Sequence, residues 1–580
     1  MPSSKPLLIY DGKCGFCGLW LKYWRELTGD RIEYAPSQEV GEQYPQIPKA
    51  EFSKSVQLVR PDGSVANGAR AVFEALGREK YYLPWPFEWG YALIARHRDF
   101  FYHATKWTFG TDIQPARFAR TQWIFVRLLA AIYAIAFASL SEQVKGLLGA
   151  HGILPVSRYL QAVAEAAGSM RFWDVPTVFW MNASDGALQG VCYAGIAVAL
   201  LVLMGFFERI GLAILFVLYL SLSSTGQEFL SFQWDSLLLE TGFLAIFLGR
   251  SRIIVWTFRW LLFRLIFSSG AVKLLSHDKS WRDLSALSFH YWTQPLPNRI
   301  AWYMAQAPEW FQKFSTGWAL GIELAVPFLI FAPRRCRMFG AWCLILLQVL
   351  IFLTGNFAFF NLLTLALCVF LFEDRDFERW FKPRASEAAG RLARRVAGAV
   401  AMLVLTLGVL RGVEMLTGES FALVRYTAPF QIVNSYGLFA VMTTMRPEIV
   451  IEGSMDGETW TPYPFRYKPG DLSKAPRWVE PHQPRLDWQM WFAAMGNYRE
   501  NPWFVSFAVR LLEGSAEVRD LLDADPFHGR APQYVRAEVY DYSFTTAEER
   551  HRTGNWWKRE AKGMYLPPVG LKVTSGLQRP

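Results

Sequence analysis

The sequence predicts a multi-domain membrane protein with an α/β N-terminal domain, a polytopic α-helical membrane domain of about nine spans, and a β-rich C-terminal extramembrane domain. Three observations lead to this fold class. The chain has 580 residues, which is too long for a single hydrophobic core. Hydrophobic residues make up 52% of it and charged residues only 19%, which departs from the composition of soluble proteins. The long apolar runs are confined to the middle of the chain.

The first domain, residues 1–105, contains the elements of a small mixed sheet. The segment LLIY is typical of a buried strand, and CGFCGLWLKYWREL has its apolar residues at helical spacing. SVQLV and SVANG are predicted strands joined by RPDG, because Asp-Gly supplies the geometry of a tight turn. ARAVFEAL indicates a second amphipathic helix.

The second domain, residues 122–412, consists mainly of apolar runs. A membrane-spanning helix needs about 20 predominantly apolar residues. The eighth candidate is short and the ninth is rich in Ala and Gly. The nine predicted spans are 123–140, 187–207, 210–224, 229–248, 253–270, 316–332, 338–354, 357–372 and 396–412.

The basic residues between the spans predict the orientation of the chain. The clusters are RHR at 96–98 with Arg117 and Arg120, Arg250 with Arg252, RRCR at 334–337, and RLARR at 391–395. All four fall on one side if nine spans alternate, and the excess of Lys and Arg in short loops marks the inside. This places the N-terminus inside and the C-terminal domain outside. The formal charge of +10 therefore indicates membrane topology rather than nucleic-acid binding.

The third domain, residues 413–580, has no further predicted span. EIVIEGSMDGETWTPYPF alternates like two strands around an Asp-Gly turn, and VRAEVYDYSF alternates again. LDWQMWFAAM and PWFVSFAVRLLEG are expected to be helices that lie on these strands.

Compartment signals leave two locations open. The N-terminal segment MPSSKPLLIYDGK lacks the basic and apolar regions of a signal peptide, and six cysteines at irregular spacing do not form a secreted disulfide framework. We expect a multi-pass protein of the inner membrane in a bacterium, or of the endoplasmic reticulum membrane in a eukaryotic cell.

The paired cysteines of YDGKCGFC carry the clearest chemistry in the sequence. At the start of a helix, free backbone N–H groups and the helix dipole stabilise a thiolate. Cys14 would then attack a disulfide and Cys17 would resolve the mixed disulfide. A zinc half-site completed by His97 and His103, or an inert pair of core cysteines, are the alternatives.

YDGKCGFC, together with PDGSVANGARAVFEAL and ALIARHR, resembles the DCC family of thioredoxin-like thiol-disulfide oxidoreductases over about residues 5–105. The resemblance implies a thioredoxin-like fold with a catalytic Cys14/Cys17 dithiol. It also implies that Asp11 belongs to the catalytic loop that presents Cys14, and that a cytosolic thiol reductant is the partner on the inner side.

Several ionisable residues lie in the predicted spans, where they are costly to bury and normally pair. They are Arg127, Asp235, Glu240, Arg259, Arg264 and Glu323. One interpretation is structural, with Asp235 and Glu240 bonding Arg259 and Arg264 to fix the packing of helices. The other is an intramembrane active or substrate site.

The predicted outer loop 271–315 is rich in Trp, Tyr, His and Lys. Many of its aromatic residues suit a membrane-interface belt. Lys273 and His290 are candidates for a base and a proton donor, and we add them to the candidate membrane site.

FLSFQWDSLLLETGFLAIF, NFAFFNLLTLALC and above all EGSMDGETWTPYPFRYKPGDLSKAPRWVEPHQPRLDWQMWFAAM resemble the lipase maturation factor family over about residues 120–575. The resemblance implies a membrane protein that assists the folding of secreted lipases. Arg485, Asp487 and Trp488, with His482 beside them, are candidates for binding a lipase-like client. The alternative is that the PHQPRLDWQMWF run packs against the membrane domain and is structural throughout.

KLLSHDKSW, following a span, is more distantly similar to the membrane carboxylases that use vitamin K. That similarity implies a catalytic lysine, for which Lys273 is the match, and a quinone-like lipophilic cofactor. Three hypotheses follow for the whole chain. It is a membrane maturation factor fused to a dithiol domain, an intramembrane redox enzyme whose cofactor the dithiol regenerates, or a non-catalytic membrane scaffold.

Overall fold

The computed structural model describes residues 4–382 and 389–571. The last residues of the predicted C-terminal domain, 572–580, lie outside this part. The chain divides into two compact units. The first consists of residues 1–118 with the short segments 331–340 and 373–376, and the second contains the remainder.

The first unit is built on a four-stranded sheet in the order β2-β1-β3-β4. Strand β1 pairs with β2 in parallel and with β3 antiparallel, and β3 pairs with β4 antiparallel. The strands are β1 (Leu7–Tyr10), β2 (Glu33–Pro36), β3 (Gln57–Val59) and β4 (Val65–Asn67). The helices are α1 (Gly15–Thr28), α2 (Ser37–Val40), α3 (Lys49–Lys54), α4 (Gly68–Ala75), α5 (Pro84–Arg96) and α6 (Arg98–Phe109).

The apolar run at β1 is buried on both faces of this sheet. Leu8 packs in one cluster with Val56 and Leu58, while its neighbour Ile9 packs in another with Phe52. Successive side chains of a strand point to opposite faces, so an unbroken apolar run is what a doubly covered strand requires. Strand β2 was not predicted, because its short segment EYAP becomes a strand only through pairing with β1.

The second unit contains most of the apolar helices. They are α7 (Ala119–Ser141), α8 (Val144–Leu148), α9 (Val156–Ala167), α10 (Arg171–Asp174), α11 (Asp185–Met204), α12 (Glu208–Thr225), α13 (Gln233–Ala245), α14 (Arg252–Leu275), α15 (Lys279–Arg282), α16 (Ala286–Thr293), α17 (Arg299–Ala305), α18 (Glu309–Ala325), α19 (Arg334–Thr354), α20 (Phe360–Cys368), α21 (Arg391–Thr417) and α22 (Ala422–Thr427). The first residues of α19 belong to the first unit.

Seven helices in the described residues are long and apolar enough to cross a membrane, rather than the nine predicted. They are Ala119–Ser141, Asp185–Met204, Glu208–Thr225, Arg252–Leu275, Glu309–Phe331, Arg334–Thr354 and Arg391–Thr417. The predicted fourth and eighth spans are the shorter helices α13, of 13 residues, and α20, of 9 residues. A helix of 13 residues rises only about 20 Å. The two helices are short because the apolar sequence at these places continues into turns and 3₁₀ geometry.

The two short helices, or the residues next to them, contact other parts of the second unit. At the beginning of α13, the Trp234 indole donates to the C-terminal Gln483 side chain at 2.6 Å. Beyond the other end of α13, a Cβ atom at Gly249 would lie 3.4 Å from the guanidinium of Arg209, at the beginning of α12. The segment before α20 meets Glu480 through the N–H of Phe357.

The C-terminal domain contains a four-stranded antiparallel sheet in the order β6-β5-β7-β8. The predicted Asp-Gly turn lies between β5 and β6, and Gly457 adopts a φ of 80°, which favours glycine. The strands are β5 (Pro447–Ser454), β6 (Thr461–Pro462), β7 (Tyr534–Phe544) and β8 (Trp557–Val569). The helices are α23 (Arg485–Ala494), α24 (Pro502–Leu512), α25 (Ala516–Arg519) and α26 (Ala547–Thr553).

Strand β8 is the longest strand of this sheet and was missed by the sequence analysis. Its central residues are exposed, so they lack the apolar alternation that identifies a half-buried strand. It also contains Pro567 and Pro568, which are tolerated because β8 is an edge strand.

Candidate functional site

The dithiol lies at the beginning of α1, where the sequence predicted it. Cys14 is the N-cap residue, and the backbone N–H of Cys17 donates to its sulfur at 3.3 Å. The hydrogen bond from the Cys17 side chain, aided by the Cys17 backbone and the charge of Arg98, lowers the pKa of Cys14 to about 6. The same hydrogen bond and burial raise the pKa of Cys17 well above its usual range. Cys14 is therefore the thiolate at neutral pH, and Cys17 is the retained thiol.

Asp11 organises the loop before the dithiol. Its carbonyl oxygen accepts from the backbone N–H of Cys14 at 3.1 Å. Its carboxylate accepts from the N–H of Lys13 and from the Gln38 side chain, each at 3.0 Å. Gly12 is required between them, since a Cβ atom there would lie 2.8 Å from the Gln38 side-chain oxygen. Asp11 holds the loop in place. Within the part of the chain that the structure describes, its side chain makes no direct contact with the sulfur of Cys14 or Cys17.

An apolar cavity of about 400 Å³ lies beside the dithiol. Cys17, Trp20, Phe73 and Tyr91 line it, and the Tyr91 hydroxyl oxygen accepts from the backbone N–H of Val56 at 3.0 Å. This geometry suits an apolar group carried next to the disulfide under attack.

The intramembrane charges form pairs that the sequence predicted only in part. Glu240 pairs with Arg264, as the structural interpretation expected. Its second carboxylate oxygen accepts from the Tyr436 hydroxyl at 2.8 Å and from the N–H of Asn434 at 2.9 Å. Arg259 donates to the carbonyl of Phe370 at 2.9 Å. The expected partnership of Asp235 with an arginine of the fifth predicted span is wrong.

Asp235 instead forms a two-pronged ion pair with Arg485 of the C-terminal domain. The two nitrogen–oxygen distances are 2.8 and 3.0 Å. Arg485 is 1% exposed and Asp235 is fully buried. The Tyr219 hydroxyl donates to the same carboxylate, and the carbonyl of Phe229 accepts from the guanidinium. The contact joins α13 to α23 through fully desolvated charges.

The segment PHQPRLDW, which includes the candidate client-binding residues, forms the rest of this contact. The Ser139 hydroxyl hydrogen-bonds His482 Nδ1 and accepts from the N–H of Gln483, both at 2.9 Å. Asp487 accepts two backbone N–H groups of the C-terminal domain, and Trp488 packs edge-on against Trp234.

Arg485, Asp487 and Trp488 are each less than 5% exposed. Of the two interpretations, client binding and packing against the helices, their contacts fit the second. They have no free surface for a client, because their side chains are used in the contact between the C-terminal domain and the helices.

Lys273 and His290 line a single cavity at the C-terminal-domain end of α14. Lys273 donates to Glu323 at 2.6 Å, and both side chains are buried. Burial, together with the charge of Lys273, lowers the pKa of His290 to about 4, so its ring is neutral. Lys273 is thus paired with a carboxylate and is not a free amine.

Two buried acidic groups of the C-terminal domain were missed by sequence reasoning. Burial raises the pKa of Glu480 to about 9, and its carboxyl group accepts from the N–H of Phe357. Glu448 is 1% exposed and pairs with Arg446 and Lys468. One feature of the sequence could have pointed to Glu480. It is a charged residue between Val479 and the PHQP segment, where it interrupts an apolar contact.

The comparisons with known proteins match the two parts of the chain that the Arg485–Asp235 pair joins. A model of the lipase maturation factor transmembrane domain matches residues 120–379, and a model of the lipase maturation factor C-terminal domain matches residues 432–567. Lipase maturation factor 2 of Gallus gallus is 36% identical over 589 residues, covering 79% of this chain and 82% of that protein.

The chain belongs to the lipase maturation factor family. Lipase maturation factor 1 of Bos taurus is 36% identical and covers 80% of this chain and 93% of that protein. The corresponding protein of Mus musculus is 35% identical, with coverages of 79% and 89%. No solved structure matches. Asp235 lies in the first matched module of this family and Arg485 in the second, whereas Cys14 and Cys17 precede both.

We predict that Arg485→Leu destabilises this family member by about 3–5 kcal/mol, because it leaves the buried carboxylate of Asp235 without its ionic partner. Thermal unfolding of the full-length protein in detergent measures the effect. The double variant with Asp235→Leu should recover much of the loss, since both charges are then removed. Lys474→Leu, which breaks an exposed pair with Asp523, is the control and should change stability by less than about 1 kcal/mol. Equal losses of stability in Arg485→Leu and Lys474→Leu would contradict the assignment.

We also predict that Cys17→Ala shifts the alkylation profile of Cys14. In the wild type the rate of iodoacetamide labelling should reach half its maximum near pH 6, since thiolate forms as the pH rises through the pKa. Removing the Cys17 hydrogen bond should move this midpoint toward the ordinary thiol value of about 8.5. Mass spectrometry of the Cys14 peptide gives the rate, and Cys17→Ser, which keeps a donor, should shift it less. An unchanged midpoint would rule out Cys17 as the cause.

Proposed function

We propose that this protein is a membrane-embedded maturation factor that assists the folding of a secreted, lipase-like client. The observation that carries this proposal is the family relationship across both modules, including the residues that join them. The relatives are named for lipase maturation, and the same pair of modules is present here.

The C-terminal domain offers a surface suited to an unfolded client. A cavity of about 460 Å³ beside the sheet is lined by the aromatic residues Phe465 and Tyr540 and by the basic residues Arg477 and Arg559. Aromatic and arginine side chains supply much of the binding energy at protein interfaces. This cavity, rather than the buried PHQPRLDW segment, is our candidate for client contact.

The N-terminal domain is proposed to be a thioredoxin-like thiol-disulfide oxidoreductase of the DCC type. Its support is the sheet order β2-β1-β3-β4, the CxxC at the beginning of α1, and the lowered pKa of Cys14. The Cys14 thiolate would attack a substrate disulfide and release one substrate thiolate. Cys17 would then lose its proton and displace the second, leaving a Cys14–Cys17 disulfide. A cytosolic thiol reductant would restore the dithiol.

We infer that nine segments cross the membrane, including α13 and α20. The contacts at their ends support this, because each short helix runs between the C-terminal-domain end of the bundle and the opposite end. Buried polar contacts at both ends let a short helix span within surrounding protein. Nine crossings bring all four basic clusters to one side, with the N-terminus inside and the C-terminal domain outside.

This topology restricts what the dithiol does. Cys14 would face a reducing compartment, in a bacterial cytoplasm or on the cytosolic side of the endoplasmic reticulum membrane. Its substrate would therefore be a thiol partner of that compartment rather than the secreted client itself.

A second candidate function, an intramembrane redox enzyme with a lipophilic cofactor, draws on the cavity that Lys273 and His290 share. The Lys273–Glu323 ion pair counts against a lysine base. A non-catalytic scaffold, the third hypothesis, would leave both the dithiol and the cavity without chemistry.

The topology is tested with reporters fused after residues 105 and 415. We expect a cytoplasmic reporter to be active at the first position and a reporter that matures outside to be active at the second, because an odd number of crossings separates them. A fusion within the predicted outer loop, after residue 306, separates nine crossings from seven. Nine crossings place five spans before it, so it should behave like the second fusion, whereas the seven long helices would place only four before it. Cytoplasmic activity of the reporter at residue 306, or activity of the first two fusions on the same side, would overturn the nine-crossing topology.

The maturation role is tested by deleting the gene and measuring the activity and transcript of secreted lipases. We expect activity to fall while the transcript is unchanged, because folding and not synthesis is impaired. Wild type should restore activity, Arg485→Leu should not, and Cys14→Ser should restore it if the dithiol acts on the other side. Unaltered activity of every secreted lipase in the deletion strain would refute the maturation role.

A further inference from the structure

The cavity beside Lys273 is lined by residues of seven helices of the second unit, α14 to α20, and has a volume of about 330 Å³. This volume falls in the range of small-molecule sites. Its walls are mostly apolar, with Ile266 of α14, Trp318 of α18 and Ile351 of α19 among them. A space of this kind at the end of a membrane bundle takes up lipophilic molecules.

The charged groups in the wall are already neutralised. Lys273 and Glu323 pair at 2.6 Å, and the ammonium group also lies 4.9 Å from the centre of the Trp281 ring. The pair contributes a net charge of zero to the cavity. An anionic head group would find no unpaired cation there, and its desolvation would be uncompensated.

A polar group in the same wall is left without a partner. Asn361 is 1% exposed and donates to the Gln348 side chain at 2.9 Å. Its own side-chain oxygen, Oδ1, accepts no hydrogen bond from any described residue. A buried carbonyl without a donor is costly, so this atom indicates a ligand that supplies one.

His290 provides a second polar contact across the cavity. Its ring packs against Phe439 and lies parallel to Phe357, with centroid distances of 4.9 and 6.3 Å. Neither ring nitrogen bonds to another residue in the part of the chain that the structure describes. A neutral imidazole has one donor and one acceptor nitrogen, so it is able to bind either a carbonyl or a hydroxyl group.

We propose that this cavity is a binding site for a neutral lipophilic molecule with a hydroxyl-bearing head group. The hydroxyl would donate to Asn361 Oδ1 and accept from the N–H of His290, and the apolar wall would hold the hydrocarbon part. A diacylglycerol hydroxyl has this chemistry, whereas a quinone has only acceptor oxygens and cannot supply the donor that Asn361 lacks. The inference does not depend on the dithiol or on the client, and it stands on the cavity, the unpaired oxygen and the neutral charge balance.

The test uses full-length protein in detergent and measures the unfolding temperature with three probes. They are dioleoylglycerol, decylubiquinone and dioleoyl phosphatidic acid. We expect dioleoylglycerol to raise the unfolding temperature by several degrees, because its hydroxyl supplies the donor that Asn361 lacks. Decylubiquinone, which has no donor, and phosphatidic acid, which is charged, should have no such effect. No shift with dioleoylglycerol, or an equal shift with decylubiquinone or phosphatidic acid, would overturn the proposal.

Variants locate the site. Ala319→Trp fills the cavity and should abolish the shift, whereas Ala271→Trp, placed in a different groove of α14, should preserve it. Asn361→Leu and His290→Phe keep the packing and remove the polar contacts, so each should reduce probe affinity by about tenfold or more. Asn361→Leu and His290→Phe still test the site if Ala319→Trp fails to fold. Wild-type shifts in both polar variants would show that the molecule binds elsewhere.

Discussion

The ion pair between Arg485 and Asp235 is the interaction on which the arrangement of the second unit depends. Both side chains are buried away from water. The cost of burying each charge is offset only by the other charge and by neighbouring polar groups. Burying charges of this kind is costly when either partner is missing. The C-terminal domain and α13 are therefore committed to one relative position, and the PHQPRLDW segment adds hydrogen bonds that fix the same register.

The C-terminal region also satisfies polar groups in the helical region. Glu240 accepts from Asn434 and Tyr436, and Asn356 donates to and accepts from the segment before the PHQP turn. Non-helical backbone is tolerated at membrane depth only where protein groups complete its hydrogen bonds. Contacts of this kind tie α13 and the segment before α20 to the C-terminal region of the same unit.

The chemistry of the candidate sites was predictable to different degrees. Cys14 and Cys17 were found from four residues, because the N-terminal turn of a helix is a local feature with a known effect on a thiol. The pairing of Glu240 with Arg264 was expected from the cost of isolated charges in a membrane. The partner of Asp235 was not, since Arg485 lies 250 positions away in the chain. For Arg485, Asp487 and Trp488 the sequence left client binding and structural packing open, because their burial depends on contacts with distant segments.

The sequence by itself determined the long apolar helices, the position of the paired cysteines at the beginning of α1, and the family, because these follow from local periodicity, spacing and motif. The tertiary structure decided which apolar runs form shorter helices, where β2 and β8 pair, and which charges meet. It also brought Lys273, Glu323, His290 and Asn361 around one cavity. These features depend on contacts between distant segments, whose energy comes from burial and pairing that no local pattern specifies.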